Sequence, residues 1–326
     1  MNKRQNALEI MRFGRPERVT GGMPAYMLGY FGVNHESHDG TTEDCPVGTK
    51  WVDIWGIGWE KDQDGIMGYP THFPLADMDA LRTYKWPDPD DERICGRIYE
   101  QLAGHRAGAD DFLTGSHRNL LFEKANKLVG MEDLMVYFYT EPEYVREIFH
   151  RIMDFQLGIQ KHYLKAGVEA INCSEDLGGQ TAPMIGPDVI REYMLPEYKR
   201  LLDAYKDRCI IINLHSCGNV ESLVDIFVEM RIDILNPVQA TANNLDNLRA
   251  LTMGKIALQG GVSSATVVSG PEAAIRAEVR ERILQLGRNG GYFCSIDQHM
   301  PFPEGNADIV RQAVEEYGKY PLTDEQ

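Results

Sequence analysis

The sequence predicts an α/β fold, a (β/α)8 TIM barrel with an N-terminal extension of helix and hairpin. Three observations predict it. First, residues 111–326 alternate apolar, β-branched runs with helix-period segments, a pattern of parallel strands joined by right-handed crossovers. Second, polar residues and glycines gather at the C-terminal ends of those runs, the face where barrels carry chemistry. Third, 326 residues hold a barrel of about 250 residues plus an extension. The chain contains no Gly-x-Gly-x-x-Gly turn to support the competing doubly wound sheet. The whole chain, 1–326, reads as one domain. Its residues 1 to about 110 form the extension and a first strand with an insertion, and residues 111–326 form regular βα units.

The elements follow in order. A helix is expected over Lys3–Phe13 and a first strand over Pro24–Tyr30, with an insertion from about 31 to 105. Within it, Trp51-Val-Asp-Ile-Trp55-Gly-Ile-Gly-Trp59 reads as a glycine-punctuated hairpin, and Trp86-Pro87-Asp88-Pro89-Asp90 as a turn before a helix at Glu92–Leu102. A strand at Phe112–Gly115 precedes helices at Asn119–Leu128 and Pro142–Leu164. Five strands follow, at Val168–Ser174, Cys209–His215, Ile232–Val238, Ile256–Gly261 and Tyr292–Ile296. The helices among them are Pro187–Arg208, Val220–Met230, Leu245–Met253, Pro271–Leu286 and Asn306–Tyr317. In the fourth, Ile275, Val279, Ile283 and Leu286 make one apolar face. These strands number seven, and an eighth could lie near Leu134–Thr140.

Composition narrows the function. The chain has 33 basic and 49 acidic residues, a net charge of −16, which disfavours nucleic acid and anionic membrane as partners. No apolar run approaches the roughly 18 residues of a membrane helix, and the N-terminus lacks the apolar core of a signal peptide. A cytoplasmic protein is expected. The six cysteines then read as free thiols or metal ligands rather than disulfides.

The strand ends carry the chemistry-bearing residues. His215 and Cys217, two apart at the end of a strand, point to one face, and together their nitrogen and sulfur select zinc. The alternative is a hydrogen-bonded histidine beside an inert thiol. Cys294 on the last strand is either a third ligand or a small core residue, and Asp297 and His299 just beyond it are further candidates. Glu175 and Asp176 offer a carboxylate pair for metal ligation or acid–base work, or a structural pair capping the Gly178-Gly179 turn. Tyr26 and Tyr30, with Trp51, Trp55 and Trp59, could wall an apolar pocket or pack the insertion on the barrel. Asn236 and Gln239 at a strand end could contact substrate. His35 and His38 could be ligands or sit in a solvated loop.

Asp176-Leu177-Gly178-Gly179-Gln180, Pro187, Pro196-Glu197-Tyr198-Lys199 and Leu214-His215-Ser216-Cys217-Gly218-Asn219 resemble the uroporphyrinogen decarboxylase superfamily. Asp233 to Gln239, Gly260-Gly261-Val262 and Tyr292 to Pro301 extend the resemblance, which covers about residues 168–320 and implies a TIM barrel. The superfamily contains decarboxylases and corrinoid-linked methyltransferases. The Arg-rich N-terminal motif by which the porphyrinogen enzymes hold substrate carboxylates has no counterpart near Arg12–Arg18. In the methyltransferases a His-x-Cys pair binds zinc with a later cysteine. His215 and Cys217 match the pair, while the later cysteine falls nearest Gln298, and a carboxylate ligand sometimes seen there falls near Gln239. The corrinoid-carrying Asp-x-His-x-x-Gly signature is approached by Asp297 to Phe302, but the glycine is missing.

The resemblance therefore implies a corrinoid-dependent methyltransferase. It would move a methyl group from a small methylated compound, such as a methoxylated aromatic, to the cob(I)alamin of a partner corrinoid protein. In this reading Glu175, Asp176 and His299 are catalytic, and Tyr26, Tyr30, Asn236 and Gln239 bind substrate. His215, Cys217 and Cys294 hold zinc. A homodimer is compatible with the sequence. Three alternatives stay open: a methylcobamide:thiol methyltransferase completed by Cys294, a metal-free decarboxylase in which Asp176 steadies a cation, and a barrel that only docks a partner.

Overall fold

The computed structural model describes residues 1–31, 45–64, 68–106, 108 and 110–323. Seven parallel strands lie side by side in the order β1 (Ala25–Leu28), β5 (Phe112–His117), β6 (Ala170–Ser174), β7 (Ile211–His215), β8 (Ile234–Val238), β9 (Ala257–Val262) and β10 (Tyr292–Ile296). The sheet curls until its edges approach. The N–H of Cys294 on β10 donates to the carbonyl of Thr20, just ahead of β1, at 2.9 Å. The insertion between β1 and β5 holds a separate antiparallel sheet of β2 (Lys50–Val52), β3 (Gly58–Glu60) and β4 (Tyr69–His72).

Strand alternation sorts the side chains. Phe112, Ala170, Ile234, Ala257 and Phe293, from five strands, meet inside the barrel and pack on Ala7 and Ile10 of α1 (Lys3–Met11), which plugs the N-terminal end. Their neighbours Leu113, Ile171, Leu235 and Leu258 point outward into the larger core under the helices. Two residues further along each strand, the inward positions turn polar: Thr114, Asn172, Asn213, Asn236, Gln259 and Ser295. The lumen is thus apolar at its floor and polar toward its mouth.

The helices α2 (Glu92–Gly104), α3 (Phe122–Val129), α4 (Met131–Thr140) and α5 (Pro142–Ala166) precede β6. Beyond it, α6 (Pro187–Val189) runs through one π turn (Ile190–Met194) into α7 (Leu195–Lys206). Then α8 (Val224–Glu229), α9 (Leu245–Thr252), α10 (Ser264–Ser269), α11 (Glu272–Gly287) and α12 (Asn306–Tyr317) complete the outer layer. The eighth strand considered near Leu134–Thr140 is instead α4. Leu134 and Phe138, one helical turn apart, are its buried positions, while Val136 and Tyr139 are exposed. Of the three tryptophans, Trp51 and Trp59 stack on each other at 6.1 Å within the insertion's own sheet, and Trp55 packs the insertion onto the barrel, meeting Phe155 of α5 edge-on at 4.7 Å. Among the described residues no helix is long and apolar enough to cross a membrane.

Candidate active site

The site forms where the loops after β6 and β7 touch. Ser174 and His215 are register partners at the ends of these strands, so the two chains leave the sheet at one level. Above them Gly178 meets Gly218. A Cβ on Gly178 would lie 2.3 Å from the Cys217 carbonyl oxygen, and Gly218 has φ +82° with equally close neighbours. Only glycine permits this approach. It carries Asp176 beside Cys217, whose N–H donates to Asp176 Oδ1 at 2.8 Å. His215 Nε2 then lies 3.3 Å from Cys217 Sγ and 3.6 Å from Asp176 Oδ1.

Asp176, His215 and Cys217 are the group among the described residues whose ligand atoms could hold a metal ion, all within 4.8 Å of one another. Zinc ligands sit about 2.0–2.3 Å from the ion, which sets tetrahedral donor–donor edges of roughly 3.3–3.8 Å; the 3.3 and 3.6 Å separations from His215 Nε2 fit. The chemistry fits as well. Burial, then the charge of Asp176, pushes the Cys217 thiol up to about 12, so a thiolate beside that carboxylate needs a cation. Burial holds the His215 imidazole below its ordinary value, in the neutral form that ligates. Three such donors would leave a fourth position of a tetrahedral ion open, as in catalytic zinc sites.

Neighbouring groups hold this geometry. Glu123 of α3 accepts from the Asp176 N–H at 3.2 Å and from Lys127 Nζ at 3.2 Å. Its burial opposes ionisation, but Lys127, the Asp176 N–H and Arg118 together keep its carboxyl below the ordinary value. Gln239 Oε1 accepts from the Gly218 N–H at 3.0 Å, and Gln298 Nε2 stands 3.5 Å from that same oxygen. Sequence reasoning missed Glu123, Lys127 and Arg118. The spacing of Glu123 and Lys127 resembles an ordinary exposed helix pair, and nothing local signals that it is buried against a loop 50 residues on.

Several expected residues lie elsewhere. Glu175 follows an inward residue and so points outward. It is fully buried and accepts from the N–H groups of Leu121 and Phe122, at 2.9 and 2.5 Å, and from Tyr198 Oη at 2.7 Å. It anchors the start of α3, and burial with the charge of Glu123 pushes its carboxyl up to about 8. Cys294 also faces outward, since Phe293 before it points inward; it is buried and stands apart from the Asp176, His215 and Cys217 group. Asp176, not Cys294, is the third residue beside His215 and Cys217.

Tyr26 turns onto α2, donating to the Gln101 carbonyl at 2.8 Å, and Tyr30 is buried against Phe155. Neither reaches the mouth. Asn236 does, level with His215, as does Gln239. Asp297 accepts from the Ser264 N–H at 2.9 Å at the start of α10. His299 is exposed and lines a neighbouring cleft. His35 and His38 lie outside the described residues.

Comparison with known proteins places this chain in a family. A structure described as a methyltransferase from Methanosarcina mazei superposes with a TM-score of 0.69 at 14% identity, covering 97% of this chain and 99% of that one. The barrel architecture is therefore shared over essentially the whole length. A uroporphyrinogen decarboxylase from Actinobacillus succinogenes is 27% identical over 183 residues, 56% of this chain. That match spans about half, 51%, of the relative's own length. The sequence profile of the uroporphyrinogen decarboxylase (URO-D) family matches residues 122–317, a span that includes Glu123, Asp176, His215 and Cys217. With more than half of its length matched, this chain belongs to the uroporphyrinogen decarboxylase family.

Proposed function

We propose that this chain is a corrinoid-dependent methyltransferase that takes a methyl group from a small methoxylated compound and delivers it to the cob(I)alamin of a separate corrinoid protein. The carrying observation is the convergence of Asp176, His215 and Cys217 at the open end of the barrel. The shared fold of the Methanosarcina mazei methyltransferase supports the reading.

Asp176, His215 and Cys217 would hold zinc, which when bound supplies a Lewis acid for the methyl-bearing oxygen. The remaining roles belong to the chain. Glu123 fixes the Asp176 loop through its N–H, and Gln239 fixes the Cys217–Gly218 turn. The polar ring of Asn172, Asn213, Asn236 and Ser295 below the ligands would orient the methyl-bearing end of the substrate above a lumen that α1 closes from beneath. Glu175, engaged by three donors, serves in this reading to anchor the start of α3. The alternative direction, to a thiol with Cys294 as a ligand, loses support because Cys294 faces the helices.

The test is metal content by mass spectrometry beside methyl transfer. Zinc-supplied protein should hold about one zinc per chain and methylate cob(I)alamin from 4-methoxybenzoate, and Cys217→Ser should lose both. Metal-free protein, or wild-type and variant alike in zinc and rate, would overturn the reading. A second reading, a carboxy-lyase, is favoured by the name of the Actinobacillus succinogenes relative. It predicts release of carbon dioxide that survives Cys217→Ser.

A further inference from the structure

A cleft of about 680 Å³ opens beside the barrel, between β10, residues 18–24 and α12. It lies along the seam where β1 and β10 approach. Its floor is apolar, with Val19, Phe302, Val310 and Val314, and its margin carries Lys3, Arg18 and Arg311 against one acid, Glu315. On a chain of net charge −16 this is a local reversal of sign. Arg18 donates to the backbone carbonyl of Glu315 rather than to a carboxylate, Arg311 pairs with the exposed Asp308, and both arginines line the cleft. The volume lies within the range of sites that enclose a small organic molecule.

We propose that this cleft binds an amphipathic carboxylate, its apolar body over Val19, Val310 and Val314 and its carboxylate toward Arg18 and Arg311. Guanidinium suits a planar carboxylate because its donors match both oxygens. Two sources share this chemistry: the methyl donor itself, or a carboxylate that binds without reacting. The first rests on the methyl-transfer reading; the site does not. Gln298 is a shared wall, since it lines the cleft and stands 3.5 Å from Gln239, which holds the turn after Cys217.

Calorimetry on the full chain with 4-methoxybenzoate, benzoate and anisole tests the site. Both carboxylates should bind about tenfold or more tighter than anisole, and Arg18→Gln and Arg311→Gln should each weaken the carboxylates by about tenfold while sparing anisole. Val314→Trp should abolish all three, with Val310→Phe as a milder filling should the first not fold. Benzoate, which has no methyl-bearing oxygen to reach the metal centre, should bind Cys217→Ser as it binds the wild type, which separates the cleft from that centre. Equal affinity for anisole and benzoate, or binding that survives Val314→Trp and Val310→Phe, would overturn the proposal. Competitive inhibition of methyl transfer by benzoate identifies the cleft as the donor's site, and a change in kcat without competition identifies an effector. If no methyl transfer occurs, the calorimetric outcomes still decide the site.

Discussion

Cys217 and Asp176 impose opposite demands on one small volume. Burial and the carboxylate hold the thiol up to about 12, yet a ligating sulfur must lose its proton. A bound cation reconciles them, so zinc binding at neutral pH should release a proton and depend on Asp176. Asp176→Ala should weaken zinc by tenfold or more in competition with a chelating indicator, and unchanged affinity would remove Asp176 from the ligand set. His117 poses a different ionisation problem, within the core. It is fully buried between Gln156 and Tyr205, at 2.7 and 2.8 Å, and burial lowers its imidazole to about 4. The folded chain thus favours the neutral ring. The associated stability is present above the unfolded value near 6.5 and is lost as pH falls toward 4. Between pH 7 and pH 5 this single group should cost about 2 kcal/mol of unfolding free energy. Urea titrations of His117→Gln should show that much less loss over the same interval; parallel profiles would exclude His117 as the source.

The element that makes the site is a pair of turns, and its legibility was uneven. Asp176, His215 and Cys217 were all recognisable as strand-end residues, because polar residues after an apolar run stand out. The pairing of His215 with Cys217 was readable from their spacing, and Asp176 stood among the further candidates; that Asp176 is the one beside them was not readable, since it depends on Gly178 and Gly218 meeting across two loops 40 residues apart. Cys294 shows the complementary failure. A strand presents alternate faces, and only the placement of Phe293 on the plug of α1 decides which face Cys294 shares. Likewise the β-branched and aromatic residues of Met131–Thr140 masked a helix whose buried positions are only Leu134 and Phe138. Tyr292–Ile296, bounded by Gly290-Gly291 and Asp297, was readable to the residue. The glycine contact itself is testable. Gly178→Ala puts a methyl group against backbone atoms at 2.3 Å and should lower stability by about 2 kcal/mol or more and zinc affinity with it. Gly186→Ala, with nothing within 4 Å of the new methyl group, should stay within about 0.5 kcal/mol. Equal effects of the two on denaturation would show that the loops are free to separate.

For the whole molecule, the parallel order of the barrel followed from strict βα alternation, but its closure did not, because closure uses a segment that is no strand. From β5 to β10 each neighbouring pair of strands is joined by a ladder, whereas across the seam the described residues supply the bond from Cys294 to Thr20 and, below it, one from Gly291 to Ile10 of α1. α1 therefore does two jobs, plugging the lumen and tying β10 toward β1. Opening at this seam would break few backbone bonds, while opening between β6 and β7 would break a five-residue register flanked on both sides. The seam should consequently be the weakest line in the barrel. Native-state hydrogen exchange checks this: the amides of Gly291 and Cys294 should exchange through a smaller opening free energy than those of Ile212 and Leu214. Ile10→Ala, which empties a fully buried position of the plug, should lower global stability by about 2–5 kcal/mol. If the seam opens separately from the rest, the Gly291 and Cys294 amides should lose more protection in that variant than Ile212. A uniform loss across all seven strands would instead mean that the barrel opens as one unit and that the seam is as strong as the ladders beside it.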